Sequence, residues 1–256
     1  MPLEKDCNPM TPPAPAQHDP VLSRYLRRKG ALLALLRRDD YRRDAMALLM
    51  MNLRGIFGLP FLGGVLLLFG AGAWLTIHYA NNAAAGYEIL QVLAAIAAIG
   101  MGSGIYAADQ QSGAFELLWL ATGSEKALLR MKMITLMIAL LLLTLPSAWV
   151  TSRYLDGLLP LAPVVGSLMV NAFLLLSMMA LLGAVFPQAW ASGVVGLSFA
   201  AAVYLTFRGS TSAVFPFHNL YMQGAKPMIG LINRGLMIAL AALLLQAAQG
   251  RLKKAL

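Results

Sequence analysis

Residues 55–87 read GIFGLPFLGGVLLLFGAGAWLTIHYANNAAAGY, a stretch from Gly55 to Tyr87 with no Asp, Glu, Lys or Arg. A helix of about 20 apolar residues crosses a ~30 Å hydrocarbon core. The stretch is therefore long enough for a membrane span and the turn that follows it. The span is placed at 56–77 and the turn at Asn81-Asn82. Working outward on the same rule, further spans fall at 89–107, 133–151 and 228–249. Gly157 to Phe207 is uncharged for 51 residues, enough for two spans. Pro187 with Gln188 divides them, because proline breaks helices and the pair is locally polar. That gives spans at 163–186 and 189–207. The expected fold class is all-α integral membrane, with six transmembrane helices.

Composition points the same way. Of 256 residues, 59% are hydrophobic and 12% charged, against about 25% charged in a soluble domain. A net charge of +9 raises the question of nucleic acid, and its distribution argues against it. Ten of the twenty Lys and Arg residues precede Gly55, and most others flank apolar runs. With both termini inside, sixteen of them lie on the inner side. Only Arg153, Arg208, Lys226 and Arg234 lie outside. The positive-inside rule favours that orientation. The expectation is a multi-pass protein of a bacterial-type plasma membrane, both termini cytoplasmic, with the bilayer and not nucleic acid as its partner.

Residues 1–20 hold six of the thirteen prolines and are expected to be a disordered tail. No cleavable signal peptide is visible, and the lone Cys7 supports neither a disulfide nor a metal cluster. Residues 21–54 form the expected N-terminal amphipathic helix, with Leu22, Leu26, Leu33 and Leu36 beside Arg27, Arg28, Arg37 and Arg38. That pattern suits a helix lying in the headgroup region; docking on another protein is the alternative. Residues 21–256 together make one transmembrane domain.

Catalytic chemistry finds little support. No Gly-x-x-x-x-Gly-Lys-Ser/Thr loop exists to cradle a nucleotide phosphate. His18, His78 and His218 are spaced in no metal-binding pattern. Gly100-Met101-Gly102-Ser103-Gly104 resembles a serine nucleophile turn only in outline; Gly100 and Gly104 read instead as a small-residue face for helix packing. No catalytic residue and no metal ligand is expected. Arg234 is the one charge inside a span. It lies near the outer boundary, where its long side chain reaches the interface; contact with a substrate or partner is the other reading. Asn171, deep in the fourth span, is expected either to hydrogen-bond between helices or to line a pathway.

Between spans two and three the chain reads Asp109-Gln110-Gln111-Ser112-Gly113-Ala114-Phe115-Glu116-Leu117-Leu118-Trp119-Leu120. Gly123 breaks it, Ser124 is the expected N-cap, and Glu125 opens the next helix. Phe115, Leu117, Leu118 and Trp119, with Glu116 among them, form an apolar knob on the expected cytoplasmic side. A helix resting on lipid and a docking element for a partner are both consistent with it.

Here the chain resembles the membrane subunits of ABC transporters of the type-2 permease family. Ser112-Gly113-Ala114-Phe115-Glu116-Leu117-Leu118 is similar to that family's small-residue step and Glu-Leu-Leu. Met131-Lys132 stands where the family has Gly-Lys. The chain departs from the pattern at Ala107 to Gln111, at Gly123 in place of a turn proline, and at Met131. The resemblance implies a coupling helix around Phe115–Trp119 that seats in a separate cytoplasmic ATPase. It also implies a second permease chain, identical or different, and transport usually outward. ATP and Mg would be bound by the partner ATPase, with no cofactor in this chain. Residues 213–226, with Phe215, Phe217 and Tyr221, resemble the family's re-entrant segment; an ordinary aromatic loop at the outer face is the alternative. A non-transporting scaffold that relays ATPase-driven motion is the second functional reading.

Overall fold

The computed structural model describes residues 59–106, 125–186, 188–207, 217–219, 221 and 227–255. The N-terminal helix of 21–54, the whole of Phe115–Trp119 and Phe215 lie outside these residues. Among the described residues six helices follow one another: α1 (Leu59–Tyr79), α2 (Ala83–Ser103), α3 (Glu125–Tyr154), α4 (Leu161–Val185), α5 (Ala189–Phe207) and α6 (Pro227–Ala255). There is no strand among the described residues. Helices α2 to α6 are long and apolar enough to cross a membrane; α1 adds a shorter apolar stretch, Leu66–Tyr79.

Helix α4 is the centre of the bundle. It packs on α2, α3, α5 and α6, while α1 packs on α2 and α3. Burial follows the packing. One face of α4 is buried from Val164 to Gly183, whereas α1, α5 and α6 turn large apolar side chains outward. Leu66, Leu67, Trp190, Leu205, Met228 and Leu231 are each 70% or more exposed. Polar groups lie within: Thr76, Gln91, Thr151, Ser167, Asn171, Ser177 and Asn233 are buried. An apolar outer surface, with the polar groups held inside among a largely apolar core, suits a lipid solvent, since buried polar groups can pair with one another. The chain is built as a multi-pass membrane protein.

Local chemistry sets the helix ends. Asn82 caps α2, its side-chain oxygen accepting from Ala85 N at 2.8 Å, as short polar side chains do at N-caps. At the end of α3, Asp156 and Gly157 take φ of 49° and 77°. Gly157 N donates to Ser152 O at 2.9 Å, which satisfies a terminal carbonyl of the helix. Thus the chain reverses into α4. Pro146 lies inside α3 without ending it.

Helix α2 starts at Ala83, after the Asn82 cap and six residues before the span placed at 89–107, so Glu88 lies inside it; the Tyr204 hydroxyl of α5 donates to its carboxylate. The small-residue face expected at Gly100 and Gly104 is elsewhere. A Cβ on Gly100 or Gly104 would meet nothing within 4 Å, whereas one on Gly102 would stand 2.7 Å from Met179 Cβ. The close approach of α2 to α4 is therefore made at Gly102, and Gly100 and Gly104 face open space.

Candidate functional site

The helices alternate in direction, so the bundle has two ends, and each holds a polar cluster. At the end marked by Asn82, the cluster centres on Arg234, seven residues into α6 and so about 10 Å from its start. Its Nη1 donates to Asn171 Oδ1 at 2.7 Å. Its Nη2 donates to the Tyr87 hydroxyl at 2.9 Å and to the His218 carbonyl at 3.1 Å. Tyr87 Oη and Ser167 Oγ share a short hydrogen bond, so α2, α4 and α6 meet at one guanidinium. The Arg234 side chain turns into the bundle, where three neutral acceptors meet it.

Residues 217–219 and 221 lie over this cluster as a strap. Gln91 Nε2 donates to the His218 carbonyl at 3.4 Å, and Asn219 Nδ2 donates to Ala84 O at 2.8 Å. Tyr221 packs its ring on Tyr87, centroids 5.2 Å apart. Burial, and secondarily the neighbouring Tyr87, push the Tyr221 hydroxyl above its ordinary pKa. Phe217 is buried and sets its ring edge-on to Tyr204 at 6.0 Å. Phe217, Gln91 and Tyr204 also line an apolar cleft of about 190 Å³ between α2 and α5, with Val92, Ile96 and Leu197.

Of the residues singled out from sequence, Asn171 and Arg234 are brought into direct contact, with Phe217 beside them in the strap. Tyr87, Gln91, Ser167 and His218 complete the cluster and were not foreseen. The signal was present in part: Ser167 and Asn171 stand four apart in an otherwise apolar helix, hence on one face.

At the opposite end, Lys132 of α3 is buried, and its Nζ donates to Ile105 O at 2.6 Å. It also lies 5.9 Å from the centroid of the Tyr106 ring, within reach of a cation–π contact. The Ser192 hydroxyl of α5 donates to Ser103 O at 3.2 Å, so the last turn of α2 is held from two sides. Ser103 itself donates to Gly100 O at 2.8 Å. Among the described residues no group of three His, Cys, Asp or Glu side chains could hold a metal ion.

No family model, no curated protein and no solved structure matches the chain.

Proposed function

We propose that the chain is the permease subunit of an ATP-driven ABC transporter of the type-2 permease kind. In this reading all six apolar helices span the bilayer, both termini are cytoplasmic, and the Asn82 end faces outward. Residues 107–124 form the cytoplasmic loop whose Phe115, Leu117, Leu118 and Trp119, with Glu116, dock the ATPase. A second permease chain completes the substrate route, and transport runs outward.

The observation that supports the reading best is the Lys132–Ile105 bond. It joins the two stems of that loop, 27 residues apart in sequence. A force applied to the loop is therefore delivered to α2 and α3 together, through the buried core that Ile105, Tyr106, Leu128 and Leu129 share. ATP binding on the partner shifts the permease between states only if the ATPase binds the two with different affinity; a clasped loop gives such a difference a route into the bundle. Purification of the full chain from native membranes tests the proposal. A cytoplasmic ATPase should copurify, and hydrolysis in liposomes should rise with substrate. Copurification of an ATPase whose hydrolysis drives no transport would favour the scaffold, and absence of any ATPase would remove both.

A further inference from the structure

Among the described residues, Arg234 is met only by neutral acceptors. Its acceptors are an amide oxygen, a phenol and a backbone carbonyl, and no carboxylate pairs with it among the described residues. A guanidinium has five N–H groups; among the described residues three hydrogen bonds are made here, and Nε is buried with no acceptor. Asn171 is only 5% exposed, and its Nδ2 is likewise buried with no partner. Both unpaired atoms are donors, so what the site lacks is an acceptor, and beside a guanidinium that acceptor is best negatively charged. Buried donors without acceptors are costly, more so on charged groups, and ionisable groups at membrane depth mark functional sites.

We propose that Arg234 and Asn171 bind an oxyanion, a phosphate or carboxylate group, from the Asn82 end of the bundle. The Nε and Nη2 atoms lie on one edge of the guanidinium, the edge that grips an oxyanion with two parallel hydrogen bonds. In the present conformation Nη2 is taken by Tyr87 and by His218 O of the strap. The strap's second tie at that carbonyl is the long 3.4 Å contact from Gln91. Displacing His218 O frees Nη2 beside the waiting Nε, and Asn171 Nδ2 supplies a third donor. The proposal gives a ligand class to the pathway contact in the permease reading and rests on that reading for its role in transport.

The test uses the full chain in nanodiscs without ATPase, so its failure and that of the permease reading are separable. Melting temperature is measured in phosphatidylcholine alone, in phosphatidylcholine with phosphatidylglycerol, and in phosphatidylcholine with inorganic phosphate. Occupancy at about a hundred times Kd should raise it by roughly 5 °C or more. A rise with phosphatidylglycerol only identifies a lipid headgroup as the source; a rise with phosphate identifies a free anion. Arg234→Gln should lose the rise. If that variant does not fold, Asn171→Asp decides, since its own carboxylate partners the guanidinium: it should melt above wild type in phosphatidylcholine alone and no longer respond to anions. No rise in either arm, or an equal rise in both variants, overturns the proposal.

Discussion

Lys132 and Ile105 are joined by a 2.6 Å bond from ammonium to carbonyl, in a position where both are buried. The carbonyl follows the last turn of α2, where helices leave acceptors unsatisfied, and a cation at a helix C-terminus is favourable. The bond thus closes α2 and fixes the stems of the loop between α2 and α3 at one point.

Lys132→Met should therefore loosen that loop. The lost charged hydrogen bond is expected to cost about 1.5–3 kcal/mol. The variant should melt lower and be cut faster within 107–124 by protease added to inside-out vesicles. Unchanged melting and cleavage would show that the clasp contributes nothing.

The two glycine environments predict opposite outcomes on one helix. Gly102→Ala forces a Cβ to 2.7 Å from Met179 Cβ, an overpacking expected to cost about 1–3 kcal/mol. Gly100→Ala meets open space and should be neutral or stabilising by up to about 1 kcal/mol through helix propensity. Thermal unfolding in detergent compares them; equal behaviour of the two would contradict the packing described for α2 on α4.

Arg234→Lys should not substitute well. One ammonium lacks the planar fork that reaches Asn171, Tyr87 and His218 together, so the strap and α4 would lose at least one bond to α6. A melting temperature within error of wild type would show that charge alone suffices there.

Topology is tested with single cysteines after Cys7 is replaced. Asn81→Cys and Asp156→Cys should react with an impermeant thiol reagent in whole cells, and Ser124→Cys should not. The reverse pattern would invert the orientation drawn from the charge bias.

Helix placement was legible in the sequence where length and polarity alone decide it. Helices α4 and α5 occupy the long uncharged run, and Gln188 stands between them as expected. What depends on another helix was not legible. Glu88 lies inside α2, and its partner Tyr204 is 116 residues away, so nothing local in the sequence announces the pair. Gly100 and Gly104 do share a face, but periodicity does not say which face meets α4. Asn171 and Arg234 each stood out as polar groups in apolar runs, yet only packing of α4 on α6 shows that they pair across 63 residues.

The permease reading is tested most directly at the loop that Lys132 clasps. Phe115→Ala with Leu118→Ala removes two apolar groups at the i, i+3 spacing that helix-in-groove docking uses. Truncating such anchors costs about 2 kcal/mol or more each, and every 1.4 kcal/mol is a factor of ~10 in affinity. Copurification of the ATPase with the solubilised double variant should fall about a hundredfold or more, while the protein remains inserted and melts as wild type does. Undiminished copurification with normal stimulated hydrolysis would contradict the docking role and the permease reading with it.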